Sequence, residues 1–199
     1  MSTKITWDDI VAAAAKLGIE PCAMSAVHSV ESAGDGFLPS GRPKILFEGH
    51  VFWKELKVRG LDPQTLAGTH PAIVYPKWVK THYKGGEKEY DRLEAARAIN
   101  EEAALYSASW GAFQIMGFNH KSCGYADVFA FVEANKAGAA SQLEAFCGFI
   151  SKQNMVRHLK ALDWAAFAKA YNGPGYAQNK YDVHLKNAYD KCRREHGGG

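Results

Sequence analysis

Apolar residues recur at helical spacing along most of the chain, and glycine or proline marks the breaks between these stretches. The first predicted helix, TWDDIVAAAAKLG, opens with Thr6 and Asp9 at the spacing of a capping box and closes at Gly18. The second begins at Pro21, which suits a first helical turn, and runs to about residue 32. The pattern therefore predicts two N-terminal helices with a tight break between them.

The helical pattern stops in GDGFLPSGRPKILFEGH, where glycines and prolines cluster and KILFE has the alternation of a short strand. We expect a small β-hairpin or sheet near residues 36–50, and no other sheet in the protein. Residues 61–86 are predicted to be irregular, residues 87–107 to form one long helix, and SASWGAFQIMG to be a short apolar segment or core helix. Further helical stretches fill residues 125–192, so the predicted fold class is mainly α with a small β element.

Length and composition fit a single domain. The 199 residues contain no internal repeat or low-complexity linker, and residues 193–199 are predicted to be a flexible tail. No apolar run approaches the roughly 20 residues of a membrane span, so we expect no stable membrane insertion. A net charge of +3 without an Arg-rich block or RNA-binding signature argues against nucleic acid as a partner. We expect a monomer.

Cysteine and histidine provide no metal signature. The four cysteines are scattered and include no CxxC pair, and the eight histidines include no HExxH. We therefore predict no metal and no cofactor. Buried free thiols are the default expectation for the cysteines, and disulfides stay open as the alternative.

One acid lies on an apolar face. Met24, Val27 and Glu31 fall at i, i+3 and i+7, and Gly34 is a plausible helix stop just beyond. A carboxylate in the last turn of a buried helix faces both desolvation and the negative end of the helix dipole, and both raise its pKa. The alternative is a helix rotated slightly so that Glu31 reaches solvent.

Two other segments place polar side chains in apolar surroundings. SASWGAFQIMG contains Ser109 and Gln114, and KAYNGPGYAQNKY sets Tyr171, Asn172 and Tyr176 around a Gly-Pro-Gly turn. Structural explanations exist for each: a glutamine that caps a backbone group, and a capped turn packed with tyrosines.

Together and in this order, VESAG, SASWGAFQIMG and AYNGPG resemble the motif succession of goose-type lysozymes and soluble lytic transglycosylases. Over nearly the whole chain, GFLPSGRPKILFEGHVFW, ARAINEEAALYSASWGAFQIMGFNH and YNGPGYAQNKY look more closely like the N-acetylmuramidase domain of phage endolysins. The resemblance implies a lysozyme-like fold and a peptidoglycan hydrolase that cuts the β-1,4 bond between N-acetylmuramic acid and N-acetylglucosamine. No separate cell-wall-binding module is visible, so we expect one catalytic domain over residues 1–199.

The resemblance also assigns roles. It implies that Glu31 is the general acid, since protonating a glycosidic oxygen requires a carboxyl that keeps its proton near neutral pH. Glu48, at the end of KILFE, is our candidate for a second carboxylate, with a salt bridge to Arg42 or Lys44 as the structural alternative; Asp35 is the weaker candidate. The predicted substrate-binding residues are Ser109, Gln114, Tyr171, Asn172 and Tyr176, with Tyr171 also able to donate a hydrogen bond to Glu31.

Two other functions compete with hydrolysis. A lytic transglycosylase would form anhydromuramoyl ends with a single carboxyl, and a non-catalytic lysozyme-like domain would only bind glycan. The start MSTKITWDDI has no apolar signal region, so we expect synthesis in the host cytoplasm and action on the cell wall, in the periplasm, after release. By family analogy, a separate holin would open the inner membrane.

Overall fold

The computed structural model describes residues 2–32 and 36–197 of the chain. Within these ranges the structure is mostly helical, with a small sheet and three 3₁₀ segments, Lys80–His82, Gly117–Asn119 and Pro174–Asn179. The α-helices are α1 (Trp7–Leu17), α2 (Pro21–Glu31), α3 (Gly49–Val58), α4 (Pro63–Thr69), α5 (Lys88–Arg97), α6 (Glu101–Tyr106), α7 (Val128–Ala137), α8 (Ala139–Lys152), α9 (Val156–Lys160), α10 (Trp164–Asn172) and α11 (Tyr181–His196).

The first two helices form as predicted. The Asp9 amide donates to the Thr6 hydroxyl at 3.2 Å and the Asp9 carboxylate accepts from the Thr6 amide at 2.8 Å, which completes the capping box. Gly18 ends α1 in the left-handed region, with φ at 64°. Met24 and Val27 are fully buried, so the apolar face of α2 packs into the core and its last residue is Glu31.

The sheet contains strands β1 (Ile45–Phe47), β2 (Ala108–Trp110) and β3 (Ile115–Met116), in the antiparallel order β1-β2-β3. The predicted strand is confirmed, but its partners come from SASWGAFQIMG rather than from residues 36–50, where the structure has an isolated bridge between Phe37 and Pro43. The interpretation of SASWGAFQIMG as a core helix is therefore wrong. Left-handed backbone at Gly111 and Gln114 (φ of 71° and 48°) reverses the chain between β2 and β3.

The sheet has a buried face and an outer face. Leu46 pairs with Ser109, which pairs with Met116, so these three side chains share the outer face, on which Ser109 is itself buried. Glu48 extends this face, since its amide donates to the Ser107 carbonyl at 2.8 Å and keeps the register of β1. The opposite face enters the core through Ile45, Phe47, Ala108, Trp110 and Ile115.

The long helix predicted over residues 87–107 is divided. α5 ends at Arg97 and α6 begins at Glu101, because the Asn100 side chain caps the second helix by accepting from the Ala103 amide at 2.9 Å. Residues 61–86, predicted to be irregular, contain α4, which Asp62 caps by accepting from the Gln64 amide at 3.0 Å. A local cap thus divides the predicted long helix at Asn100, and another begins an unpredicted helix at Asp62.

The C-terminal helix α11 packs along α2 and is joined to it by a disulfide between Cys22 and Cys192. The default expectation of free thiols is therefore wrong for this pair, which a 170-residue separation in sequence conceals. It is right for Cys123 and Cys147, which are buried and free. α11 also continues to His196, beyond the point where the flexible tail was predicted to begin.

One hydrophobic core cluster extends from Ile10 in α1 to Leu185 in α11. In the described ranges, no individual helix has the length and apolar character needed to cross a membrane; α1 and α2 meet these criteria only as a pair, bent by 115°.

Candidate active site

Glu31 lies at the C-terminal end of α2 and lines an open cleft of about 360 Å³. The floor of this cleft comes from the β2–β3 hairpin and its walls from α8, α10 and the start of α11. Glu31 contributes the one carboxylate among the described residues that line it. The lining residues are Glu31, Phe113, Gln114, Ile115, Met116, Asn119, Phe149, Tyr171, Asn172 and Tyr181.

Burial dominates the electrostatics of Glu31. The side chain is half-buried, and desolvation raises its pKa above the usual range of a glutamic acid, while a hydrogen bond from Asn172 opposes part of that rise. The Glu31 carboxyl is therefore partly desolvated at the end of the apolar face of α2, as predicted. The structure disfavours the alternative of a rotated helix with a freely solvated Glu31.

Asn172 contacts Glu31 directly. It is the last residue of α10, and its Nδ2 donates a hydrogen bond to Glu31 Oε1 at 3.0 Å. Gly173 follows with φ at 77°, which ends α10 and turns the chain away from the cleft. Asn172 was predicted as a residue of the glycan cleft, and the structure places it on the cleft lining beside Glu31.

Tyr171 does not donate to Glu31, contrary to our expectation. Its hydroxyl donates to the Phe113 carbonyl at 3.2 Å, because its ring is held between aromatic side chains of α8 and α10 that direct it toward the hairpin. These aromatic neighbours are Phe146, Phe149 and Phe167. Burial, and secondarily the charge of Glu31, raises the pKa of Tyr171 and keeps the phenol protonated.

Gln114 lines the cleft while its amide group holds the hairpin. Its Nε2 donates to the Gly111 carbonyl at 2.8 Å and its Oε1 accepts from the Ser109 hydroxyl at 2.9 Å. The structural explanation for Gln114, a cap on a backbone group, is therefore correct, and a sugar contact by this residue stays a prediction. Ser109 is 6% exposed and lies behind Gln114 rather than on the cleft surface.

Tyr176 lies in the 3₁₀ segment Pro174–Asn179 and packs partly buried against the core, outside the lining of the cleft. Among the residues described, no group of three or more His, Cys, Asp or Glu side chains is arranged to hold a metal ion.

Glu48 lies on the outer face of the sheet and outside the lining of the Glu31 cleft. The Tyr83 hydroxyl donates to Glu48 Oε2 at 2.5 Å, and His50 Nδ1 lies 3.2 Å from the same oxygen. The anticipated salt bridge to Arg42 does not form, because Arg42 pairs with Glu87 instead. Asp35, the weaker candidate, lies outside the described residues.

The sequence did not identify several of the residues that line the cleft. Phe113 directly precedes Gln114 in SASWGAFQIMG, so the prediction of Gln114 could have indicated Phe113 as well. Asn119, Phe149 and Tyr181 belong to other segments and carry no local signal, since tertiary packing alone brings them to the cleft.

Comparison with known proteins shows the family to which the chain belongs. The sequence model of the N-acetylmuramidase family matches residues 20–193, which is most of the chain and includes every site residue above. The chain belongs to the N-acetylmuramidase family. The crystal structure of the Burkholderia AP3 phage endolysin superimposes with a TM-score of 0.91 at 46% sequence identity, covering 96% of this chain and 73% of the endolysin chain. No curated protein sequence matches the chain.

The N-acetylmuramidase fold is thus mainly helical with a small antiparallel sheet, as predicted. The enzyme is a glycoside hydrolase that acts on peptidoglycan, and therefore on the cell wall. The transglycosylase and the non-catalytic alternatives are not favoured by these matches.

Proposed function

We propose that this N-acetylmuramidase is an endolysin that hydrolyses the β-1,4 bond between N-acetylmuramic acid and N-acetylglucosamine, with Glu31 as the general acid. One observation carries the proposal: in the described cleft, Glu31 is the single carboxylate, and burial raises its pKa. A carboxyl whose pKa is raised keeps its proton to higher pH than a free glutamic acid and can deliver it to a leaving-group oxygen.

Asn172 makes the two oxygens of Glu31 inequivalent. Because the Asn172 amide donates to Oε1, that oxygen acts as an acceptor and the proton resides on Oε2. The carboxyl is thereby held in one orientation, with its acidic hydrogen directed away from Asn172. This is the arrangement that a general acid needs when a glycosidic oxygen binds beside it.

Glu48 and Asp35 are the two candidates for a second catalytic carboxylate. Inverting glycosidases separate their two carboxyls by about 6.5–9.5 Å and retaining enzymes by about 5–5.5 Å. Glu48 is engaged by Tyr83 and His50 on the outer face of the sheet, which supports a role in binding more than in activating water. We therefore expect Glu48→Gln to keep measurable lysis, and Asp35→Asn to show the larger loss if a carboxylate activates water.

A Glu31→Gln variant tests the central assignment. Glutamine keeps an oxygen that accepts from Asn172 but has no acidic proton, so turnover of purified peptidoglycan should fall by about 10²–10⁴-fold. Glu195→Gln is the matched control, because Glu195 is exposed on α11 and only approaches Lys191 at 3.9 Å. Unchanged lysis by Glu31→Gln would refute the assignment.

Mass spectrometry of the products separates hydrolysis from transglycosylation. Hydrolysis leaves reducing muramic acid ends, whereas a transglycosylase leaves anhydro ends that are lighter by one water. Predominant anhydro ends would contradict the proposed reaction.

We further propose that the enzyme is a monomer without stable membrane insertion and that another component releases it to the wall. Sedimentation equilibrium measures the first point, and a dimer at working concentration would contradict it. Lysis of host cells that requires co-expression of a membrane-permeabilising protein would support the release route, and lysis without one would overturn it.

A further inference from the structure

Trp78 is a large aromatic side chain on the surface, 60% exposed, in the segment between α4 and α5. Its indole lies beside the ring of Tyr83, with the two ring centroids 6.4 Å apart. The Tyr83 hydroxyl in turn donates a hydrogen bond to Glu48. We call these three residues, together with His50, the Trp78 cluster.

A buried ion pair contacts Tyr83 and the residues directly after it. Glu89 and Arg92 are 0% and 4% exposed, and their charged groups lie 2.7 Å apart. Glu89 accepts from the backbone amide of Lys84 at 2.6 Å, directly after Tyr83, and the Arg92 guanidinium lies 5.5 Å from the Tyr83 ring centroid. These contacts fix the chain at Tyr83, the ring neighbour of Trp78, so less conformational entropy is lost when a ligand binds there.

The Trp78 cluster is continuous with the Glu31 cleft through the sheet. Met116 lines the cleft on β3, and Leu46 and Glu48 lie on the same outer face two strands away. Two strand spacings correspond to about 10 Å. A glycan bound in the cleft would therefore reach the Trp78 cluster only if it extended across the outer face, past the two sugars that flank the scissile bond.

The chemistry of the Trp78 cluster suits a sugar ring. An exposed indole offers a flat apolar face, and Tyr83 beside it adds a hydroxyl. Glu48 accepts from that hydroxyl and His50 contacts Glu48, so the cluster also contains an acceptor and an imidazole. Sugars present the same combination of apolar ring faces and peripheral hydroxyls. We propose that the Trp78 cluster binds the peptidoglycan glycan strand beyond the bond being cut, as a second site that holds the polymer on the enzyme.

This proposal rests on the proposed function, so binding must be measured apart from turnover. The experiment uses the full chain with Glu31→Gln, which binds without cutting, and sediments it with intact insoluble peptidoglycan. Adding Trp78→Ala should weaken binding about tenfold, and Trp78→Phe, which keeps a ring face, should recover part of the loss. Phe129→Ala is the matched control, because Phe129 is also an exposed aromatic, 43% exposed, on α7.

Kinetics with the otherwise unmodified enzyme give a second readout. Trp78→Ala should raise KM on intact peptidoglycan while kcat, and activity on a short soluble glycan fragment, stay unchanged. A Trp78→Ala variant that sediments as well as its parent, while Phe129→Ala behaves identically, would overturn the Trp78 cluster as a glycan site. A shift from dimer to monomer on Trp78→Ala would also overturn it, since the surface would then join two copies of the chain. Failure of Glu31→Gln to stop lysis contradicts only the catalytic assignment, because the KM of Trp78→Ala is measured in the otherwise unmodified enzyme and does not depend on Glu31→Gln.

Discussion

Asn172 Nδ2 donates a 3.0 Å hydrogen bond to Glu31 Oε1, joining the ends of α10 and α2 across 141 residues of sequence. The bond works against burial: desolvation raises the pKa of Glu31 and the amide donor lowers it. Asn172 therefore sets both the orientation of the proposed acid and the upper pH at which it stays protonated.

Removing Asn172 should change the pH profile as well as the rate. In Asn172→Ala the carboxylate loses the donor that favours its charged form, so the pKa of Glu31 rises further. Because the reaction needs the protonated acid, the alkaline limb of kcat/KM should move to higher pH, while kcat falls about tenfold from lost orientation.

The control for Asn172→Ala is Asn179→Ala, an exposed asparagine in the neighbouring 3₁₀ segment. Rates measured across the pH range should show an unshifted limb for the control. An alkaline limb that moves to lower pH in Asn172→Ala would contradict the assignment of Asn172 as a positioning residue.

Glu31 should destabilise the fold at neutral pH. Its pKa is higher in the folded than in the unfolded chain, so the native state binds more protons and stability falls as pH rises from the unfolded pKa, about 4.3, through the folded pKa. Glu31→Gln removes this titration. Its melting temperature should exceed that of the wild type at pH 7, by about 2–4 °C for each kcal/mol recovered, and the difference should vanish below pH 4. Equal melting temperatures at all pH values would contradict a raised pKa.

The sequence predicted the features that are encoded locally. The capping box of α1, the proline start of α2 and the face that carries Met24, Val27 and Glu31 all depend on residues within a few turns of each other. The motif succession then added Gln114 and Asn172, because the segments that contain them resemble, in this order, the motifs of a known family.

The features that the sequence could not show depend on contacts between distant residues. Strand β1 alone does not specify that its partner is β2, since apolar alternation is compatible with many partners. Tyr171 and Asn172 are adjacent in sequence, and only packing decides that Asn172 reaches Glu31 while the tyrosine bonds to Phe113. The disulfide between Cys22 and Cys192 was hidden for the same reason.

The Cys22–Cys192 disulfide should stabilise the contact between α2 and α11. A cross-link across 170 residues restricts the unfolded chain, which chain-entropy models value at about 5 kcal/mol, with about 2–4 kcal/mol typical of measured disulfides. Cys22→Ser/Cys192→Ser should therefore lower the free energy of unfolding by about 2–4 kcal/mol. Denaturant titration measures the change.

A reducing agent provides the internal check on that disulfide. It should lower the wild-type melting temperature toward that of the double serine variant and leave the variant itself unchanged. Cys123→Ser is the matched control, because Cys123 is buried and free, and its melting temperature relative to the wild type should not depend on the reducing agent. A wild-type protein that melts identically with and without reductant would show that the cross-link does not stabilise the fold.

Breaking the buried ion pair should destabilise the fold and loosen the Trp78 cluster together. Burial alone would raise the pKa of Glu89, but backbone amides and the charge of Arg92 lower it, and the net shift is downward. The Glu89 carboxylate therefore stabilises the fold at neutral pH, and this stabilisation is lost as pH falls through the pKa of Glu89 in the folded chain. Glu89→Gln leaves Arg92 charged and partly unpaired in the core, at a cost of about 3–5 kcal/mol in the free energy of unfolding. Glu94→Gln on the same helix is the control, because Glu94 is 58% exposed and should cost less than about 1 kcal/mol.

The two effects of Glu89→Gln can be separated by temperature. Well below its melting temperature the variant should be folded, yet the Glu89 hydrogen bonds to the Lys84 and Gly85 amides are weakened, so the segment that carries Tyr83 is less firmly held. Binding to insoluble peptidoglycan should then weaken in the direction of Trp78→Ala, while Glu94→Gln binds like the wild type. A fully folded Glu89→Gln protein with wild-type binding would mean that the ion pair stabilises the core without organising the surface above it.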